Sequence, residues 1–397
     1  MARVNAASSL AFLLTCCVLL SVAAEAATVY DVAGFGARPG GRTDSSAAFA
    51  DAWSAACRSP APATVYVPRG EFLLGQAAFK GPCRSSRVTV QIDGTLVAPS
   101  GFTGRDAWIA FDRVEGLTVS GGTLDGRGAA LWACKAAGHG DGCPSGATSV
   151  TVLNSRDVAV RGLRSVDSEL YHVVIDGCEG VSVEDVRIVA PGSSPNTDGI
   201  HVQASSGVTV SRASIQTGDD CVSVGPGTAN LRVEHVGCGP GHGISIGSLG
   251  KGGEEAGVEN VTVSGAAFAG TENGLRIKTW GRAAVEGAYV RGVVFEHVTM
   301  RGGVRNPIVI DQNYCPNHAC PHQQSSAVKI SDVRYTDIRG SSASQVAVRF
   351  DCSATNPCSG IGLEDIRLTL DGGKPAEATC QHADGTASGY VEPPSCL

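Results

Sequence analysis

The 397-residue sequence predicts an all-β fold: a single right-handed parallel β-helix closed at one end by a short N-terminal helix. Three observations carry the prediction. Short β runs recur as "DVAVRGLRSVD" from Asp157, "GVSVEDVRIVA" from Gly180, "GVTVSRASIQT" from Gly207 and "NLRVEHVGC" from Asn230, and the copies continue to "GIGLEDIRLTL" from Gly360, 23 to 35 residues apart. Apolar residues alternate inside each run, which buries one face of a strand. A unit this short cannot cover that face alone, and stacked neighbours can. Leucine-rich repeats share the period, but their Leu-rich consensus is absent.

The elements follow in order. Residues 1–26 read as a secretory signal, with Arg3 as the first charge, an apolar run from Leu10 to Val22 and the small-residue pattern Ala24-Glu25-Ala26. Residues 27–397 then form one β-helix domain. No second run is apolar enough for a membrane helix, so the expectation is an exported protein without membrane contact, acting as a monomer. Phe49, Trp53 and Cys57 recur at i, i+4 and i+8, which predicts an amphipathic helix capped by Thr43 or Asp44 and plugging the open end of the stack.

Of fifteen Cys, Cys16 and Cys17 leave with the signal. The remaining thirteen suggest six disulfides and one thiol. The spacings suggest Cys57/Cys83, Cys134/Cys143, Cys221/Cys238, Cys315/Cys320, Cys352/Cys358 and Cys380/Cys396, with Cys178 left over. Zinc is the rival use of clustered Cys, but no CxxC pair is present. A net charge of −7 without a long basic run argues against nucleic acid. Nine His would bring the chain near neutrality in an acidic medium.

The candidate chemistry lies in four segments aligned by their apolar residues: "NTDGIHVQ" from Asn196, "GDDCVSVG" from Gly218, "GHGISIG" from Gly241 and "ENGLRIK" from Glu272. Coils stack at about 4.8 Å. Asp198 then falls in register with Asp220, Asp220 with His242, and Asn273 continues the column. His201, Ser223, Ser245 and Arg276 share the outward face, with Gln203 and Lys278 two residues further along. Asp198, Asp219, Asp220, His242, Arg276 and Lys278 therefore converge on one outer surface. The bland reading is a polar ladder that merely caps turns. Against it, close carboxylates cannot all ionise, so one keeps its proton beside ionised partners, as glycoside hydrolysis requires. Metal binding is the rival use, but the adjacent Arg276 and Lys278 argue against a cation and for a substrate with its own carboxylate.

The blocks "SPNTDGIHV", "TGDDCVSVG", "CGPGHGISIGSLG" and "NGLRIKTW" resemble the signature blocks of the polygalacturonases. The likeness runs from about Val29 to the C-terminus and includes "NPIVIDQNYC"; its style is closest to the plant pollen-type exopolygalacturonases. The resemblance implies hydrolysis of α-1,4 bonds in polygalacturonate or pectin, with inversion and without cofactor or metal, at the cell wall. Asp219 falls on the general acid, and Asp198 and Asp220 on the pair that holds and activates water. His242 falls on a partner of Asp219, Arg276 and Lys278 on substrate-carboxylate ligands, Tyr314 on a substrate-contacting Tyr and Asn196 on a loop or sugar contact. An inverting acid and base stand roughly 6.5–9.5 Å apart. Exo action is expected, with endo action the alternative; a rhamnogalacturonan hydrolase, a pectate lyase and a non-catalytic solenoid are the other readings. Loops from Cys134 and from Ser248 are expected to border the groove.

Overall fold

In the computed structural model, which describes residues 27–101, 105–138, 142–282, 285–316 and 325–397, the repeats stack as coils of one parallel β-helix. One face is an eleven-stranded parallel sheet from Ala77–Lys80 to Glu377–Gln381. Its middle strands are β1 (Val173–Asp176), β2 (Ile200–Gln203), β3 (Val222–Val224), β4 (Ile244–Leu249), β5 (Asn273–Trp280), β6 (Asn306–Tyr314) and β7 (Val346–Asp351). The rest of each coil contributes to a twenty-stranded sheet, parallel among the described residues except where Cys358–Leu370 meets the short Lys374–Pro375 strand.

The alternating pattern sets the core. Val173, Ile200, Val222, Ile244, Leu275, Ile308 and Val348 occupy one register column through β1–β7. None is more than 1 % exposed. Each such aliphatic side chain stabilises the fold by roughly 1.5–3 kcal/mol on burial. A shift of one residue in any coil would turn this column toward the groove, so the apolar stack fixes the register of the polar residues beside it.

The predicted helix is α1 (Ser46–Arg58). Phe49 meets Phe72 edge-on at 6.3 Å, and Trp53 lies 5.2 Å from Phe79 and 5.8 Å from Phe111, so α1 does close the first coils. Its N-cap position is Ser45, one residue later than expected, with no side-chain cap bond; Asp44 supplies the cap chemistry instead, accepting from Ser46 N–H at 3.0 Å. Sequence reading missed α2 (Ala129–Ala136), which buries Leu131 and Trp132. Eight residues give too little periodicity to register. The expected loop from Cys134 thus begins inside a helix.

Five expected disulfides are formed: Cys57–Cys83, Cys134–Cys143, Cys221–Cys238, Cys352–Cys358 and Cys380–Cys396. Cys315 is disulfide-bonded, and Cys320 lies outside the described residues, as does the signal segment. Cys178 is a buried free thiol. Asn260, in the one glycosylation sequon, is exposed and donates to Asn230 Oδ1 at 2.6 Å.

Behind the groove, His172 is fully buried, with Nδ1 2.8 Å from Ser165 Oγ and Nε2 without a hydrogen-bond partner among the described residues. Burial holds this imidazole at about 3, so it stays neutral in the fold. The unfolded chain takes up the proton first, so stability falls as pH drops below the ordinary value of 6.5. His172→Gln is expected to flatten the slope of Tm between pH 6.5 and pH 4, measured calorimetrically; an unchanged slope would contradict this.

Candidate active site

Glycines open the way for the carboxylates. A Cβ on Gly218 would lie 2.0 Å from the Ser194 carbonyl oxygen, and one on Gly243, at φ +92°, would lie 2.2 Å from that of Asn273. Only glycine lets the turns before β3 and β4 approach their neighbours this closely. Backbone bonds then tie the coils: Gly199 N–H donates to Asp220 O at 2.9 Å, Cys221 N–H to Gly243 O at 2.7 Å and His242 N–H to Asp219 O at 2.8 Å.

The expected register is present. His201 pairs with Ser223, Ser223 with Ser245, and Ser245 with Arg276. Two residues before the apolar column stand Asp198, Asp220, His242 and Asn273. Asn273 Nδ2 donates to His242 O at 3.3 Å, and Asn306 Nδ2 continues the ladder to Asn273 Oδ1 at 3.2 Å. The outward face differs from expectation in being largely covered. Ser223, Ser245 and Lys278 are buried, because side chains on coils one strand spacing apart shield one another.

Asp220 is the most heavily bonded carboxylate. Its side chain is 2 % exposed. Oδ2 accepts from Lys278 Nζ at 2.7 Å; Oδ1 accepts from Ser245 Oγ at 2.7 Å and Arg276 Nη2 at 3.1 Å. Arg276 Nε also donates to Ser245 Oγ at 3.0 Å. Burial pushes this carboxyl upward, but the Lys278 and Arg276 charges and the Lys278 and Ser245 hydrogen bonds outweigh it and hold Asp220 down at about 2. Asp198 is equally buried and has no such clamp. Burial, then the Asp219 and Asp220 charges, push it well above the ordinary carboxylate value, against a hydrogen bond from Ser223. The two neighbouring carboxyls are thus driven apart, Asp220 below the ordinary carboxylate value and Asp198 above it.

Asp219 stands beside this column. Its Oδ1 accepts from Asp220 N–H at 2.8 Å and faces His242 Nδ1 at 3.0 Å, while Oδ2 has no hydrogen-bond partner among the described residues. The side chain is 18 % exposed. His242 Nε2 lies 3.4 Å from Glu272 Oε2. The Asp219 hydrogen bond raises His242 against the effect of burial, with the Asp219, Asp220 and Glu272 charges adding to the rise.

Asp219, Asp220 and His242 offer ligand atoms within 4.8 Å of one another. The donor set is that of an ion-pair network, since both Asp220 oxygens already bond Ser245, Arg276 and Lys278. The same spacing is shorter than the 6.5–9.5 Å expected between an inverting acid and base, because a backbone N–H links the two adjacent residues.

The structure brings Asp198, Asp219, Asp220, His242, Arg276 and Lys278 together. Arg276 and Lys278 both bond Asp220, and Arg276 also bonds Ser245; their further N–H donors have no partner among the described residues. Tyr314 joins through Lys278, whose Nζ lies 5.5 Å from its ring. Asn196 is exposed in the turn before Asp198, at φ +58°, without a side-chain hydrogen bond among the described residues. Sequence reading missed Tyr171, which stacks on His201 at 5.3 Å and stays a neutral phenol because burial and the nearby carboxylates disfavour its ionisation. The signal was present: the Asp198 register extended one coil back reaches Tyr171. Glu272 was likewise quoted but unassigned.

Carboxylates and cations thus line one sheet face of a parallel β-helix, and the sequence match gives the class of protein: a glycoside hydrolase. Residues 57–389 match Glycosyl hydrolases family 28, and the chain belongs to that family. It is 54% identical over 383 residues to "Polygalacturonase" from Prunus persica, covering 96% of both chains. It is 42% identical over 371 residues to "Exopolygalacturonase" from Platanus acerifolia, covering 92% and 97%. Among solved structures, endo-xylogalacturonan hydrolase from Aspergillus tubingensis shares the fold at TM-score 0.77 and 22% identity, covering 92% of this chain and all of that one. Endopolygalacturonase I from Stereum purpureum does so at TM-score 0.60 and 20% identity, covering 86% and 98%.

Glu272→Gln is expected to lower the His242 ring titration toward 6.5, read by NMR, and to move the alkaline limb of activity the same way. The sign follows from the raised value: the stabilisation from charged His242 is complete below 6.5 and is lost as pH rises through the folded value. An unmoved ring titration would contradict the contact.

Proposed function

We propose that this chain is a secreted polygalacturonase that hydrolyses α-1,4 bonds between galacturonate units of pectin with inversion. The observation that carries the reading is the unequal company of the two carboxyls: Asp220 is bonded by Lys278, Arg276 and Ser245, while Asp198 beside it has no such clamp and is pushed upward by burial. Asp220 is the base. Asp198 orients the attacking water by donating or sharing a hydrogen bond, and Asp220 takes the proton as the water oxygen bonds to the anomeric carbon. Asp219 is the acid: with substrate bound it takes up a proton on Oδ2, which has no partner among the described residues, and passes it to the departing glycosidic oxygen, while His242 bonds Oδ1.

The remaining donors of Arg276 and Lys278 take the substrate carboxylate, with Tyr314 packing against the same sugar and Asn196 at the groove edge. Export is supported by the predicted signal and by the disulfides. The Platanus acerifolia relative, named an exopolygalacturonase, supports cleavage of terminal units.

Three outcomes test the reading. Asp219→Asn conserves shape and is expected to lower kcat on polygalacturonate by at least about 10²-fold with Tm nearly unchanged; full activity would refute the acid assignment. NMR of the fresh product is expected to show the β-anomer first, whereas the α-anomer first would mean retention. Product analysis over time is expected to show early monomer from a polymer, and EDTA to leave the rate unchanged. A spread of oligomers would mean endo action, and EDTA-sensitive release of unsaturated ends a lyase.

A further inference from the structure

Beyond Asp220, the groove carries cations that the proposed chemistry does not use. Lys278 Nζ is 5.5 Å from the Tyr314 ring, and that ring meets the Trp280 indole edge-to-face at 5.5 Å. Trp280 in turn holds two further cations: the Arg282 guanidinium at 5.0 Å and Lys251 Nζ at 5.9 Å. An unbroken line of aromatic and cationic side chains therefore leads from the Asp220 clamp along β5 to an outer pair.

The pair is held by structure. Lys251 follows β4, Arg282 follows β5, and the two loops are tied by parallel pairing of Gly253–Glu254 with Val285–Glu286. Arg282 Nη1 donates to Lys251 O at 2.7 Å, and Arg282 O accepts from Ala327 N–H at 2.9 Å. The Glu255 carboxylate accepts from Gly250 N–H, and Glu255 N–H donates to Glu286 O at 3.0 Å. Among the described residues no carboxylate lies within ion-pair distance of Lys251 Nζ or the Arg282 guanidinium.

Two like charges against one indole repel each other, and an anion between them relieves the repulsion. The ring satisfies one face of each cation and leaves N–H donors over. The loops also carry Glu254, Glu255 and Glu286, but none of these carboxylates pairs with Lys251 Nζ or the Arg282 guanidinium among the described residues, so both cations keep donors for an outside anion. We propose that Trp280, Arg282 and Lys251 form a distal subsite for the carboxylate of a second uronate unit, further along the polymer than the unit at Lys278. This rests on the galacturonan-cleaving reading above. The subsite adds binding shared by ground and transition states, so it acts on KM more than on kcat.

The test compares initial rates of the mature protein, Lys251→Ala and Arg282→Gln on polygalacturonate, on digalacturonate and on fully methyl-esterified pectin. Each variant is expected to raise KM on polygalacturonate about 3- to 10-fold, with a smaller change in kcat. The effect shrinks between low and high salt, as a screened charge contact requires. On digalacturonate and on the neutral ester the KM ratio of variant to parent is expected to be smaller. Lys374→Ala, which removes an equal charge at an exposed position in the short Lys374–Pro375 strand, is expected to leave KM in place. The Lys251 side chain makes no hydrogen bond or ion pair among the described residues, so its variant separates binding from folding. An unmoved KM for Lys251→Ala, or an equal rise on the neutral ester, overturns the subsite. Failure of the parent to cleave polygalacturonate overturns the functional reading itself.

Discussion

Coil-to-coil backbone pairing is the constraint on which the rest depends. Parallel strands leave no freedom to slide while Val173, Ile200, Val222, Ile244 and Leu275 must all face the same core. That apolar stack, distributed over many coils, sets the address of every polar residue on the groove side. Asp198 and Asp220 are brought together by a coil of fixed length, and the same ladder places Lys278 and Arg276 two strands further along, where both reach Asp220.

The consequence is electrostatic. Three carboxylates in a largely covered pocket cannot all ionise, and the structure resolves the conflict by unequal company. Asp220 is bonded by two cations and a hydroxyl, Asp198 has the Ser223 hydroxyl and feels Lys278 only at a distance, and Asp219 receives His242 on one oxygen. The covering of Lys278 is part of this. A cation in water would be screened, whereas one buried against a carboxylate acts at nearly full strength. In the proposed reaction the same two cations serve twice, holding the base ionised and offering their remaining donors to the uronate.

The register, the inward and outward parity, the closing helix and the convergence of six site residues were all legible, because a strand period of two and the 22-residue steps from Asp198 to Asp220 and from Asp220 to His242 are one-dimensional signals. Three of the five disulfide pairs were legible as local pairs, Cys134–Cys143, Cys352–Cys358 and Cys380–Cys396, and Cys57–Cys83 and Cys221–Cys238 as the pairs that close longer loops. Three things were not. Helix α2 is too short for its period to show. The burial of Lys278 and Ser245 depends on how neighbouring coils shade one another, which no single strand reports. The pairing of Arg276 and Lys278 with Asp220 depends on side-chain reach across two coils. Sequence assigned them to the substrate, since a free cation and a clamped one look alike in a string. Tyr171 lies one coil before Asp198 in the same register, where no acidic motif marks it.

The central claim is the unequal protonation of Asp198 and Asp220, and the titration of their side-chain carboxyl carbons measures it directly. With aspartate-labelled protein and assignment by the Asp198→Asn and Asp220→Asn variants, Asp220 is predicted to remain ionised down to about pH 2, while Asp198 keeps its proton well above the ordinary value of 3.8. Joint titration of the two near 3.8, or the reverse order, would contradict the account.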